Sequence, residues 1–144
     1  MNLQDYMTYA VSVSGDDKRG YVARLNGVPG AFTGGDTRDE AMSMARELVT
    51  DWAAGCFASG EAMPAGAKPK PGEDFVTISA DAAAKIMVRN EMIRKGVTMT
   101  SVASRMGVPA SQLSRNLRLT TSTKLSLLER MCAAIGTSLD VSMA

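Results

Sequence analysis

Side chains able to do covalent or acid–base chemistry are scarce in this sequence. There is no histidine. That removes Ser-His-Asp and Cys-His nucleophile pairs, imidazole metal ligands and an imidazole general base. Cys56 and Cys132 lie far apart in the chain. With no secretory signal in view, two reduced thiols are expected rather than a disulfide. Carboxylates gather at Asp36, Asp39 and Glu40, and a metal-dependent nuclease needs such convergent acids. The same residues open an expected helix, where negative charge favours the positive end of the helix dipole. That structural role accounts for them. The first expected strand carries no acid, and Asp16 and Asp17 fall at a hairpin tip. No catalytic residue, no metal site and no cofactor is expected.

A different chemistry is offered between residues 98 and 124. The spacing of Val102, Ala103, Met106, Gly107, Val108 and Leu113 fits two short helices crossing steeply, as in a helix-turn-helix. Ala103 lets the second helix approach, Gly107 permits the positive φ of the turn, and the larger apolar residues fill the joint. Asn116 stands where an apolar residue is usual, and Leu117 is expected to make that contact instead. The second helix of such a motif enters a DNA major groove. Ala110, Ser111, Gln112 and Arg115 would then face the bases, Gln112 suited to adenine and Arg115 to guanine or a phosphate. Thr98, Thr100, Ser101, Arg118 and Lys124 are expected at phosphates, which position a protein without specifying sequence. A single module binds weakly, so a two-fold dimer on half-sites about 34 Å apart is expected.

The elements that would carry these residues follow from periodicity. Residues 7–13 alternate, with Tyr9, Val11 and Val13 on one side, and Tyr21, Ala23 and Leu25 resume the alternation after a turn over 14–20. These runs predict a hairpin. A short third strand over 31–33 ends at Gly34-Gly35. Thr37 and Glu40 fit a capping box, and Ala41, Met44, Ala45, Leu48, Trp52, Cys56 and Phe57 follow as the apolar face of a helix covering the sheet. Trp52 and Phe57 are expected in the core. Farther on, residues 74–79 read as a strand and Ser79 caps a helix that stops near Gly96. Helices over 99–106, 110–117 and 125–135 come next, and 139–143 alternate as a last strand. That last strand is expected to pair across the dimer.

Over the whole chain 16 basic residues nearly balance 15 acidic ones. The balance hides a division. Residues 1–72 hold 7 basic and 9 acidic residues, and residues 73–144 hold 9 and 6. The basic surplus lies between Lys85 and Arg130, a footprint suited to a polyanion. The stretch over 64–72 has three prolines and two glycines and reads as a linker or extended loop. Two domains are therefore expected, 1–72 and 73–144. At 45% apolar and 22% charged residues the chain is not disordered. No apolar run reaches the roughly 18 residues of a membrane span. With no signal-like N-terminus, a cytoplasmic protein is expected.

The order of these features resembles a known family. A hairpin precedes the turn Val28-Pro29-Gly30. Then Thr33-Gly34-Gly35-Asp36-Thr37-Arg38-Asp39-Glu40-Ala41 opens a long helix, a Pro-rich stretch begins at Ala62-Met63-Pro64-Ala65, and a DNA-binding tail ends the chain. This arrangement resembles HicB-type antitoxins of bacterial type II toxin–antitoxin pairs. The Gly-Asp-Thr-x-x-Glu-Ala element at 35–41 is its most specific part. The resemblance implies an N-terminal partial RNase H-like fold without catalytic residues, which binds a small HicA-like ribonuclease toxin and covers its active site. It also implies that the tail represses the operon's own promoter. Some relatives carry a ribbon-helix-helix tail, but four helical segments after Ile78 favour helix-turn-helix here. Gly27 departs from the family, whose members often place an acid just before the turn.

The sequence is thus read as an α+β protein and a non-enzymatic antitoxin: a sheet-plus-helix unit that holds a toxin and a helix-turn-helix unit that binds operator double-stranded DNA as a homo-dimer or higher oligomer. Two alternatives differ in class. One is a ligand-sensing helix-turn-helix repressor without a toxin partner. The other is a nuclease using Asp36, Asp39 and Glu40.

Overall fold

The computed structural model describes residues 2–143. The described residues form an α+β fold, with a four-stranded antiparallel sheet and six helices. Helix α1 (Gln4–Met7) leads into strands β1 (Thr8–Asp16), β2 (Gly20–Leu25) and β3 (Phe32–Gly35), and helix α2 (Arg38–Ala58) follows. An extended strap then leads to β4 (Asp74–Thr77), α3 (Ala80–Lys95), α4 (Met99–Met106), α5 (Ala110–Asn116) and α6 (Leu125–Ile135). The expected hairpin is present, but its strands run to Asp16 and from Gly20. The turn shrinks to three residues because Asp16 Oδ1 accepts from the amides of Lys18 and Arg19, which lets the ladder continue. The third strand includes the two glycines expected to end it. The helix α1 has no counterpart in the sequence reading.

The sheet order is β3-β2-β1-β4. The register places Tyr9 opposite Val76, Val11 opposite Leu25 and Val13 opposite Ala23. Strand side chains alternate between faces, so these residues share one face, and that face packs against α2. The helix does so through Ala41, Ala45, Val49 and Ala53, all fully buried. Of the expected stripe, Ala41 and Ala45 lie in this contact, Val49 and Ala53 complete it, and Leu48, Trp52, Cys56 and Phe57 pack along its margin. Met44 is exposed, while Trp52 and Phe57 are half-buried at the margin rather than in the core. Small side chains win because the helix lies close to the sheet. A Cβ on Gly35 would come within 2.6 Å of the Ala41 amide nitrogen.

One further expectation changes. Asp74–Thr77, placed by sequence with the C-terminal half, is an edge strand of the sheet, antiparallel to β1. The Pro/Gly stretch before it is the extended loop of the two expected alternatives, and it packs on the sheet. Met63 is buried, the Ala10 amide donates to the Ala67 carbonyl at 3.0 Å, and the Ala67 amide donates to the Asn26 carbonyl at 2.9 Å. Asn90 of α3 holds Met63 with a reciprocal pair of hydrogen bonds to its backbone.

Two apolar cores result, and α3 contributes to both. Ala82, Ala83 and Ile86 join the core beneath the sheet, whereas Ala84, Val88 and Met92 join Val102, Leu113, Leu128, Met131 and Ile135. Helix ends follow the expected grammar. Ser79 Oγ accepts from the Ala82 amide, and Gly96, Gly107 and Gly136 close their helices in the left-handed conformation that glycine adopts at little cost. The expected strand over 139–143 is not formed. A strand needs a neighbouring edge to satisfy its backbone groups, and none lies beside this segment. Leu139 packs on the second core, while Val141 and Met143 are exposed.

Candidate nucleic-acid interface

Helices α4 and α5 are joined by residues 107–109, and their joint is filled by Val102, Ala103 and Leu113, all buried, with Met106 and Val108 half-buried. Leu117 is buried and Asn116 only partly so, so Leu117 makes the contact expected of it. Pro109 is the N-cap of α5, with φ −63° and ψ 140°. With Leu113 inward, Ser111, Gln112 and Arg115 stand exposed on the outer side of α5. Residues three and four apart are neighbours on a helix, so Arg115 lies beside both Gln112 and Ser111.

The hydroxyls at the start of α4 divide by what they already do. Thr98 Oγ1 accepts from the Ser101 amide at 3.1 Å, and Ser101 Oγ accepts from the Thr98 amide and donates to the Thr98 carbonyl. Ser101 is half-buried and its proton is committed. Thr98 retains its own proton for an outside acceptor. Thr100 is exposed.

The structure sorts the basic surplus into two groups. Most of it is occupied within the fold. Lys85 is fully buried. Arg89 lies over the Phe57 ring at 5.1 Å, and Arg94 pairs with Glu91. Lys95 donates to the Ile135 and Gly136 carbonyls, Arg105 to the Ala134 carbonyl at 2.8 Å, and Arg130 to the Met106 carbonyl at 3.5 Å. Lys95, Arg105 and Arg130 thus serve helix C-termini, where orphan carbonyls and the helix dipole favour cations. Arg115, Arg118 and Lys124 are all exposed. Among the described residues their side chains enter no hydrogen bond or ion pair. Lys124 is the N-cap of α6, and Arg118 follows Leu117, the C-cap of α5.

A second surface was missed by sequence reasoning. On the sheet face away from α2, the register aligns Ser12, Arg24 and Phe32 across three strands, with the Arg24 guanidinium 5.3 Å above the Phe32 ring. Phe75 stands on the same face at the β4 edge. Phe32 is 58% exposed and Phe75 52%, so this sheet face presents two phenyl rings to solvent. For Phe75 the signal was present in the alternation, since it shares a side with Thr77, whereas Phe32 is placed by register alone, its polar neighbour Thr33 lying opposite buried Ala23.

The acids Asp36, Asp39 and Glu40 take up the start of α2. Glu40 offers its amide to Thr37 Oγ1 and its carboxylate to the Asp36 amide. One half of the expected box is thus formed, and in the other half the Glu40 carboxylate reaches past Thr37 to the Asp36 amide. Among the described residues no cluster of His, Cys, Asp or Glu is disposed to hold a metal ion, and no helix is long and apolar enough to cross a membrane. Both cysteines are free, and burial pushes both thiols above their usual range.

Comparison with known proteins adds relatives. A family model described as the HicB-like antitoxin of bacterial toxin–antitoxin systems matches residues 8–87. Antitoxin HicB 1 of Photorhabdus laumondii is 31% identical over 138 residues, covering 95% of this chain and 87% of that protein. Antitoxin HicB 2 of the same organism is 29% identical over 125 residues, covering 87% and 88%. Antitoxin HicB of Escherichia coli K12 is 25% identical over 137 residues, covering 95% and 99%.

Proposed function

The chain belongs to the HicB-like antitoxin family, and on that premise we propose that it neutralises a small HicA-like ribonuclease toxin and represses its own operon by binding operator DNA. In this reading the sheet with α2 is the toxin-holding unit, a partial RNase H-like fold, and α4–α5 form a helix-turn-helix. The proposed division of labour keeps 1–72 for the toxin and 73–144 for DNA, with β4 lent to the toxin-holding sheet. Neither unit breaks a covalent bond. The protein acts in the cytoplasm as a dimer or higher oligomer.

The observation that carries the DNA-binding half is the selective vacancy of three cations. Of the basic residues between Lys85 and Arg130, Arg115, Arg118 and Lys124 are left without partners among the described residues, and they flank or belong to α5. Exposed cations beside a helix with Gln112 and Ser111 outward suit a major groove with its flanking phosphates. The aromatic face of Phe32 and Phe75, ringed by Arg24 and Ser12, supports the toxin-holding half. Aromatic and arginine side chains are the residue types that dominate protein interfaces.

The test is direct. The full chain is co-expressed with the reading frame beside its gene and purified, and its binding to the DNA upstream of that pair is measured by fluorescence anisotropy. Co-purification, relief of toxicity and sequence-selective binding are expected. A chain that leaves toxicity unrelieved, or binds scrambled DNA as tightly, overturns the corresponding half of the proposal.

A further inference from the structure

Lys85 is the least expected residue of the fold. Lysine is almost never fully buried unless paired, yet Lys85 has 0% exposure, flanked in α3 by Ala84 and Ile86, which belong to different cores. Its Nζ donates to the Arg118 carbonyl at 2.8 Å and to the Thr121 carbonyl, and Asp81 Oδ2 lies 3.4 Å away. An ammonium has three donors, and these acceptors can take all of them.

The segment held this way is the one that carries Arg118 and ends at Lys124. Residues 117–124 form neither helix nor strand. Their shape comes from a few tethers. The Thr121 hydroxyl donates to the Arg118 carbonyl, and the Thr123 hydroxyl donates to the Asn116 carbonyl at 2.6 Å. Leu119 packs against the core beneath the sheet. Lys85 adds the tether that joins both ends of the turn to α3.

We propose that Lys85 is a positioning residue for DNA binding: by holding the carbonyls of Arg118 and Thr121, its buried Nζ fixes the turn that presents the Arg118 side chain to a backbone phosphate. This rests on the DNA-binding half of the proposed function. An apolar side chain in its place would fill the same volume but leave the Thr121 carbonyl without a donor and the Arg118 carbonyl held only within its own turn, by the Thr121 amide and hydroxyl, and the turn would part from α3 to regain a hydrogen bond. The placement of Arg118 would be lost with it.

The experiment is a double-mutant cycle on operator binding, read across a salt series with the full chain. Arg118→Ala should weaken binding roughly three- to tenfold and lower the salt slope by about one, the effect of a lost phosphate contact. Lys85→Met should do the same, and the double variant should be no worse than Lys85→Met alone. A Lys85 that only supports the fold would give additive losses, and additivity overturns the proposal. So does an Arg118→Ala variant that binds as the parent does. Absence of any operator binding by the parent chain, in contrast, strikes the proposed function itself. If Lys85→Met does not fold, Asp81→Asn removes the counter-charge of Nζ and keeps the side-chain size. The penalty for Arg118→Ala should then shrink by about a factor of two or more, the partial loosening expected when a charge-assisted contact is weakened. An unchanged penalty overturns the proposal.

Discussion

Gly66 lies directly against the ring of Tyr9. A Cβ at position 66 would fall 2.5 Å from Cδ1 of that ring and 2.6 Å from the Thr8 carbonyl oxygen. The only side chain that fits between strap and strand is a hydrogen atom. This contact makes the Pro-rich stretch part of the sheet unit. Gly66→Ala should destabilise the protein by about 1–3 kcal/mol, the usual cost of overpacking a tight site. A urea-unfolding midpoint unchanged from the parent's would show that the strap does not hold the strand.

The Tyr9 hydroxyl is buried without a hydrogen-bond partner among the described residues. Burial, and then the neighbouring Tyr6, pushes its phenol far above the usual range. A buried hydroxyl with no partner costs about 1–3 kcal/mol. Tyr9→Phe is therefore expected to raise stability, by roughly 1 kcal/mol after relaxation. A destabilised variant in thermal unfolding would contradict the orphaned hydroxyl.

Arg115 and Lys124 should separate base reading from phosphate binding. Arg115→Ala should cost about 1–3 kcal/mol of operator affinity and relax preference at one base. Lys124→Ala should weaken every DNA sequence alike and flatten the salt dependence. Competition binding against single-base operator variants distinguishes the two outcomes. The reverse pattern would mean that α5 docks differently.

The tail after α6 leaves Val141 and Met143 exposed. If it becomes a strand only by pairing with a second copy, removal of residues 138–144 should convert the proposed dimer to monomer. Mass measured in solution reads this out. A dimer of unchanged mass would assign self-association to another surface.

Two exposed ion pairs give a pH dependence. The hydrogen bond from Arg38 holds the Asp74 carboxyl below the usual carboxylate range, and the hydrogen bond from Arg94 does the same for Glu91. Carboxyls with lowered folded values contribute stability above their unfolded value of about 4, and lose it as pH falls through the folded value. The parent and an Asp74→Asn/Glu91→Gln variant should differ at neutral pH and converge on acidification. The difference should be small, because surface pairs are screened. A gap that widens towards low pH would reverse the assigned sign.

Much of the chain could be read without coordinates. Local rules suffice where the governing contacts are close in sequence. The caps at Thr37, Ser79 and Thr98, the terminating glycines 96, 107 and 136, and the inward Leu117 all lie within a few residues of their partners. Periodicity likewise located α3 to α6 and the alternation of β1 and β2. Exposure of Ser111, Gln112 and Arg115 followed from the same 3.6-residue period once Leu113 was placed inward.

What the sequence left open depends on contacts between distant residues. Tertiary packing centred the contact of α2 on Ala41, Ala45, Val49 and Ala53, because closeness to the sheet leaves room for Leu48 and Trp52 only at its margin. It moved β4 into the first sheet, since β1 offered a free edge that only folding brings near. It also divided the cations. Nine basic residues in one stretch look alike as charges, but Lys85, Lys95, Arg105 and Arg130 meet backbone carbonyls 24 to 41 positions away. Charge is a property of composition, whereas availability of charge is a property of geometry, because a side chain tied to a carbonyl of its own fold must share its donors or give up that contact to reach a phosphate outside it.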